Sequence, residues 1–329
     1  MSNIADAIEV SPAGAKSNMD STCKISVSVV VPVYNEESNI EPLLSCLHAL
    51  LTEYGDYEVL FVDDGSTDSS LQILRDAHQA NPRARFIALS RNFGHQNALR
   101  AGLAYAKGDV VITMDADLQH PPDLIPLLIA QWRDGHDIVC ARRSGSNALP
   151  VLKRFSSRLY YRIVNLLADF ETEEGAADFR LLNRRVVDVI RGLPEGNLLL
   201  RGIVGWLGFR RCAIDYDQPG RRAGKTKYTF RKMMRLGIQG IISFSVGPLR
   251  LATFLGLCLS VIALIYAIYA VAIHVFTDKT ITGWTSLIVS VLLLGGIQML
   301  LLGIIGEYLG RLFIESKRRP DYIIREMSP

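Results

Sequence analysis

The 329 residues contain no Gly-x-x-x-x-Gly-Lys-Ser/Thr run, which removes P-loop phosphate chemistry from consideration. No Cys-x-x-Cys pair occurs either. The five cysteines, Cys23, Cys46, Cys140, Cys212 and Cys258, are scattered, with no histidine at metal-ligand spacing. They read as reduced, cytosol-facing residues, not as a disulfide framework or a zinc site. Residues 1–24 have no apolar core of the kind a signal peptide needs, and are expected to be a disordered leader. Asp, Glu, Lys and Arg are absent from Leu251–Thr277 and again from Thr280–Gly306, 27 residues each. As a helix, each stretch would run about 40 Å, against a hydrocarbon core of about 30 Å. Core helices of soluble proteins rarely run so far without a charge. Two transmembrane helices are therefore expected, joined in a tight hairpin around Asp278-Lys279.

The net charge of +3 is modest, but basic residues crowd 142–162, 221–235 and 311–319. Arg250 and the Arg221–Arg235 cluster precede the hairpin, and Arg311, Lys317, Arg318 and Arg319 follow it. By the positive-inside rule both flanks, and hence the large N-terminal region, are cytoplasmic. Trp284 suits an interfacial anchor on the far side, and Glu307 sits at the inner edge. Met233, Met234, Leu236, Ile238, Ile241, Ile242 and Phe244 make 231–248 an amphipathic juxtamembrane segment. The expected division is leader 1–24, N-terminal domain 25–230, juxtamembrane segment 231–248, two spans within 249–311, and a cytoplasmic basic tail 312–329. Gly295, Gly296 and Gly303 favour close helix packing, within the hairpin or between protomers of a homo-oligomer, and Gln298 should face a partner helix.

Residues 25–141 alternate short apolar runs with segments of helical spacing. Val27–Tyr34, Glu58–Val62, Arg85–Leu89, Asp109–Met114 and Asp137–Ala141 read as strands. Ser38–Leu51, with Ser38 as N-cap, then Ser69–Gln79, Gly94–Ala106 and Pro122–Trp132 read as helices. This order predicts an α/β fold with a mostly parallel sheet covered on both faces. Ligands of such sheets bind outside the carboxyl ends of the strands. A polar cluster follows each apolar run: Pro32–Glu36, Asp63–Asp68, Ser90–His95, Asp115–Gln119 and Arg142-Arg143. Five polar strand ends point to one site.

The most informative cluster is Asp115-Ala116-Asp117-Leu118-Gln119. Alternate residues of an extended chain share a face, so Asp115 and Asp117 can converge on one hard cation. Oxygen ligands suit Mg²⁺ or Mn²⁺, which in turn hold a substrate's phosphates. Asp63-Asp64-Gly65 is open to two readings, a simple turn capped by Thr67 or Asp68 or a ligand contact through Asp64. Arg154, Arg158 and Arg162 recur every fourth residue, on one helix face. His95, His120 and His136 sit apart in sequence with no ligand spacing.

Val31-Pro32-Val33-Tyr34-Asn35-Glu36, Asp63-Asp64-Gly65-Ser66, Asp115-Ala116-Asp117 and Asp178-Phe179-Arg180-Leu181 occur in this order before the two apolar stretches. Together they resemble the family 2 glycosyltransferases, and more narrowly the polyprenyl-phosphate group that includes bactoprenol glucosyltransferases. Dolichyl-phosphate mannose synthase and the aminoarabinose-lipid transferase are relatives of that group. Arg91-Asn92-Phe93-Gly94, Gly295-Gly296-Ile297-Gln298-Met299 and Gly306-Glu307-Tyr308-Leu309-Gly310-Arg311 carry the narrower likeness, which covers about residues 25–326.

The resemblance implies a GT-A, Rossmann-like domain followed by interfacial helices and a two-helix transmembrane hairpin. It implies inverting, metal-dependent transfer of a sugar, by subgroup glucose from UDP-glucose, to undecaprenyl phosphate. The setting is the cytoplasmic face of a bacterial inner membrane, and the product is a lipid-linked sugar for envelope glycans. Asp117 and Gln119 are then metal ligands, and Asp115 lies on the metal or the donor ribose. Pro32, Tyr34 and Glu36 bracket the base, and Asp64 contacts base or ribose. Arg222 and Lys227, flanking Gly224, close over the pyrophosphate, in preference to a plain juxtamembrane basic patch. Arg142 and Arg154 take the acceptor phosphate, with Ser157 and Arg158 beside them. Asp178 orients the acceptor; the alternatives are a general base or a structural salt bridge with Arg180. The expected partners are a nucleotide sugar, a polyprenyl phosphate, the lipid bilayer and a second copy of the chain, with no nucleic acid.

Other readings are the same chemistry with UDP-GlcNAc or GDP-mannose, and a non-catalytic membrane-anchored nucleotide-sugar-binding subunit. A processive polysaccharide synthase would need more spans and a Gln-x-x-Arg-Trp motif. Trp132, Trp206 and Trp284 have no such context. Two spans also offer no polar path for a flippase.

Overall fold

A computed structural model describes residues 25–143, 176–193, 200–216, 247–277 and 283–329. The expected alternation appears as β1 (Ser26–Val33), α1 (Glu37–Leu51), β2 (Asp56–Asp63), α2 (Ser70–Ala80), β3 (Ala84–Leu89), α3 (His95–Tyr105), β4 (Val110–Thr113), α4 (Ile125–Arg133) and β5 (Ile138–Arg143). Then come β6 (Ala176–Asn183), α5 (Arg184–Gly192), α6 (Leu200–Trp206), β7 (Arg211–Tyr216), α7 (Gly247–Thr277), α8 (Trp284–Ser316) and β8 (Ile324–Met327). The strands form one sheet in the order β7-β5-β6-β4-β1-β2-β3-β8.

Four of the seven pairings, β1 with β2 and β4, β2 with β3, and β5 with β7, are parallel. The β3–β8, β4–β6 and β5–β6 pairings are antiparallel. Val29, Val30 and Val31 are all fully buried, because helices cover both faces. Ile40, Leu43 and Leu47 of α1, Leu74 of α2 and Leu128 of α4 pack on one face with Val29, Val31 and Phe61. Leu99 of α3, Val186 and Ile190 of α5 and Ile203 of α6 pack on the other with Val30, Leu60 and Val111. This is the Rossmann-like, mostly parallel GT-A architecture.

Three details differ from the sequence reading. Helix α1 starts at Glu37, so Ser38 lies inside it and Glu36 holds the cap position without a side-chain cap bond. The Glu36 carboxylate instead accepts from the Asn39 side chain. Second, a strand absent from the sequence reading, β6, runs antiparallel between β4 and β5. Third, the end of the 312–329 segment adds an eighth strand. β8 pairs with β3, Arg75 and Arg100 hold Glu326 and Asp321, and the Ser90 N–H donates to the Ile323 carbonyl.

Helices α7 and α8 touch each other and leave Leu257, Ile262, Tyr266, Leu302 and Leu309 more than half exposed. Among the described residues one stretch, Leu293–Ser316, is long and apolar enough to cross a membrane, and α7 holds a shorter apolar run, Ala252–Tyr266. A Cβ on Gly295, Gly296 or Gly303 would meet open space, so these glycines do not serve packing within the hairpin. Gln298 is exposed as well.

Candidate active site

The carboxyl ends of β1, β2, β3 and β4 lie along one edge of the sheet, as their parallel registers require. Strand β6 runs the opposite way, so its first residues reach that same edge. Thr113 pairs with Arg180, and continuing that register sets Asp178 opposite Asp115. Two carboxylates separated by more than sixty residues of sequence thus face one another.

Asp115 is partly exposed, Ala116 is buried and Asp117 is exposed. Leu118 adopts φ of 57°, a left-handed conformation that branched side chains rarely hold. The turn it makes lets the Asp117 carboxylate accept from the Gln119 N–H at 3.1 Å. Inside this turn, His120 is fully buried and its Nδ1 accepts the Asp115 N–H at 3.0 Å. Burial pushes the imidazole below its ordinary value, against the pull of Asp115. In the neutral ring that hydrogen bond places the proton on Nε2, which stands 3.6 Å from Asp115 Oδ2. The ring stacks on Phe179, centroids 5.3 Å apart.

Asp178 is almost fully buried, with a side chain 5% exposed. The Arg180 guanidinium lies 2.9 Å from Oδ1, the Gln96 amide donates to Oδ2 at 3.3 Å, and the Asp178 carbonyl accepts from the Thr113 hydroxyl at 2.7 Å. His95 Nε2 lies 3.3 Å from Asp178 Oδ2 and 3.5 Å from Asp115 Oδ1. His95 and His120, which the sequence set apart, therefore meet at Asp115. One signal was available: His95 ends the polar cluster after β3, and His120 follows the Asp115–Gln119 cluster. His136 lies elsewhere, against the Gln131 carbonyl.

On the β1–β2 side, Pro32 is buried at the strand end, Tyr34 is 47% exposed and Glu36 is half-buried. Asn35 takes φ of 57°, which asparagine tolerates, and its side-chain oxygen accepts the Thr67 N–H. Asp68 accepts the N–H of Ser70, the first residue of α2, but the cap position is Ser69, without a side-chain cap bond, and not Thr67 or Asp68. Asp64 is buried and accepts the Phe93 and Gly94 N–H groups at 2.7 and 2.9 Å. Both oxygens brace the 91–94 loop. Gly65, at φ of 72°, lets that loop approach: a Cβ there would lie 2.5 Å from the Arg91 carbonyl carbon. Burial raises the Asp63 and Asp64 carboxyls above the usual carboxylate range, against the hydrogen bonds each accepts. Burial also raises Glu36, as do the charges of Asp117, Asp68 and Asp115, while Asn39 opposes the shift.

Arg142 forms a two-pronged pair with Asp215 of β7, at 2.6 and 2.9 Å. Arg154, Ser157, Arg158, Arg222 and Lys227 lie outside the described residues. Among the described residues, no three His, Cys, Asp or Glu side chains form a ready-made metal cage. The edge nonetheless fits a hard cation shared with a ligand's phosphates. Asp115 Oδ1 is a buried oxygen that accepts no hydrogen bond, with His95 Nε2 standing 3.5 Å away, and it lies beside the exposed Asp117 in an acidic cluster.

The family model for glycosyl transferase family 2 matches residues 28–191, and one for a GtrB C-terminal hairpin matches 247–312. The uncharacterized glycosyltransferase YkcC of Bacillus subtilis (strain 168) is 43% identical over 92% of this chain and 94% of its own length. This chain belongs to glycosyl transferase family 2. The bactoprenol glucosyl transferase of Shigella phage SfV is 39% identical over 92% of this chain and 98% of its own length. A crystal structure of glucosyl-3-phosphoglycerate synthase from Mycobacterium tuberculosis with Mn²⁺, UDP and glucosyl-3-phosphoglycerate overlaps 66% of this chain and 78% of that one, at 20% identity and TM-score 0.41. The protein is thus a glycosyltransferase whose C-terminal hairpin associates it with a membrane. Its acidic edge lies at the carboxyl ends of the strands, where open α/β sheets bind their ligands.

Proposed function

We propose that the protein transfers glucose from UDP-glucose to the phosphate of a polyprenol, undecaprenyl phosphate, at the cytoplasmic face of a bacterial inner membrane. The observation that carries this reading is the pairing of an Asp-x-Asp turn with buried Asp178 at one sheet edge, in a chain that also carries an apolar hairpin. Similarity to bactoprenol glucosyl transferases over almost the whole length supports the glucose and the lipid acceptor. Both apolar stretches would cross the bilayer, with basic flanks on the cytoplasmic side.

Asp115 and Asp117, with Gln119, would hold Mg²⁺ or Mn²⁺, which when bound offsets charge on the departing diphosphate. Pro32, Tyr34 and Glu36 would frame the base. Asp64 acts on the donor through the 91–94 loop that it anchors. A phosphate oxygen of the acceptor attacks the anomeric carbon. The new C–O bond forms on the face opposite the breaking bond to the diphosphate, so the configuration inverts and UDP leaves. The acceptor is already an anion and needs no proton removed. That fits Asp178, whose oxygens are engaged by Arg180, Gln96 and His95. Asp178 is a positioning residue in this reading, not a base. Arg142, Arg154, Ser157 and Arg158 would receive the acceptor phosphate, and Arg222 and Lys227 the diphosphate. Arg142 would exchange Asp215 for the lipid.

The test is a lipid-extraction assay on membranes carrying the protein, with undecaprenyl phosphate, Mn²⁺ and labelled nucleotide sugars. Label from UDP-glucose should enter the organic phase, and Asp117→Ala should lower it by about a hundredfold or more, the scale set by removing one preorganised charge-stabilising group. Label from UDP-GlcNAc or GDP-mannose instead would keep the reaction and replace the sugar. No labelled lipid from any donor, with UDP still bound, would leave a nucleotide-sugar-binding subunit.

A further inference from the structure

We propose that His95 is a positioning residue that ties the Asp-x-Asp turn to Asp178, and so fixes the donor-side carboxylate relative to the acceptor side. This rests on the transferase reading above and adds a role that the motif residues do not fill. His95 is the first residue of α3, and its place is set by the loop before it. Asp64 accepts from both Phe93 and Gly94, and Gly94 sits at φ of 96°, a conformation that glycine takes without strain. The loop therefore delivers the ring over the edge of the sheet. Its neighbour Gln96 is anchored at both ends, donating to Asp178 and accepting the Leu200 N–H at 3.1 Å.

Asp115 and Asp178 are like charges brought to one edge by the β4–β6 register, and like charges at close range repel. His95 Nε2 lies between them, 3.5 Å from Asp115 Oδ1, where no hydrogen bond is formed, and 3.3 Å from Asp178 Oδ2. The far oxygen of Asp115 faces His120, which is fully buried and fixed by the Asp115 N–H and by Phe179. Asp115 is thus bracketed by a rigid histidine behind and an exposed one in front. The front one also reaches Asp178. Its side chain is 43% exposed, so it can be exchanged without opening the core.

The chemistry of the contact suggests its own control. A glutamine at 95 can set an N–H near the Nε2 position, whereas an asparagine is too short to reach it. The measurements are Mn²⁺ affinity with UDP present, followed by electron paramagnetic resonance of free Mn²⁺, and turnover on the polyprenyl phosphate. His95→Ala and His95→Asn should each weaken Mn²⁺ binding and lower kcat by about tenfold to a hundredfold, as loss of a residue that orients a metal ligand does. His95→Gln should recover most of both, and thermal unfolding should match wild type in all three. Equal losses in the Gln and Asn variants, or wild-type behaviour in the Ala variant, would overturn the proposal. So would a wild-type protein that binds no Mn²⁺ with UDP. Wild type that binds Mn²⁺ and UDP yet glycosylates no polyprenyl phosphate would overturn the proposed reaction alone, and the Mn²⁺ titrations would still decide His95.

Discussion

The central strands and the C-terminal hairpin are both rich in leucine, isoleucine and valine, and the structure treats them in opposite ways. Leu60 on β2 has no exposed surface, while Leu302 on α8 is 61% exposed, with Met299 and Ile305 near it also exposed. In the sheet, helices on two faces supply the apolar surroundings, and the parallel strands β1 to β4 end in polar clusters at one edge. In the hairpin nothing within the described chain covers the apolar side chains. A contiguous bare surface of this kind marks a membrane or a partner. The sheet positions atoms within the candidate site, and in the proposed reaction the hairpin would hold that site at a lipid acceptor.

The sharpest way to break this comparison is to make the same substitution in both regions. Leu60→Asp buries a charge with no partner and should unfold the catalytic domain, a cost of several kcal/mol. Leu302→Asp should leave the domain's thermal unfolding and UDP binding intact in detergent. In membranes it should cost insertion about 2.5–3.5 kcal/mol and shift protein to the soluble fraction. Equal losses of thermal stability in the two variants would make the hairpin a protein core, and the contrast would collapse.

Within the sheet, Arg180 is the exception that tests why its interior is apolar. It is 2% exposed and pairs with Asp178 at 2.9 Å. Removing one partner of a buried pair leaves the other charge stranded, at a cost of about 3–5 kcal/mol. Arg180→Met should lose that much by chemical denaturation. Adding Asp178→Asn should recover a large part of it, although activity stays lost. If the double variant is no more stable than the single one, Asp178 does not depend on Arg180, and its donors Gln96 and His95 suffice.

The parallel strands were legible in the sequence because a strand buried on both faces reads as an unbroken run, as in Val27–Val33. The polar ends were legible for the same reason, as breaks in those runs. Strand β6 was not, since Asp178 and Arg180 interrupt its pattern, and only the register with β4 makes them compatible with burial. Nor was β8: Ile324-Arg325-Glu326-Met327 reads as a basic tail until Arg75 and β3 are in place to receive it. The two histidines at Asp115 were hidden because the ends of β3 and β4 converge only in the folded sheet. Asp117 and the apolar hairpin were visible because a local pattern announces each of them.

The edge of the sheet offers the mildest version of the contrast between covered and uncovered chain. Ser328, just after β8, is 2% exposed. Its hydroxyl accepts the Phe86 N–H at 3.0 Å, and its own N–H donates to the Phe86 carbonyl at 3.0 Å. Ser328→Ala deletes that acceptor, together with the longer bond the hydroxyl donates to the Phe86 carbonyl at 3.3 Å, and keeps the backbone bond. The expected cost is about 1–2 kcal/mol, the net worth of one good hydrogen bond and one long one, with faster hydrogen exchange at the Phe86 amide. The effect should stay well below that of Arg180→Met, because β3 keeps β2 on its other side and water can reach an edge. A loss as large as that of Arg180→Met would place the C-terminal strand among the elements that hold the domain together. Unchanged exchange at Phe86 would mean that β8 leaves the edge in solution, and the last residues would then tether the hairpin without belonging to the sheet.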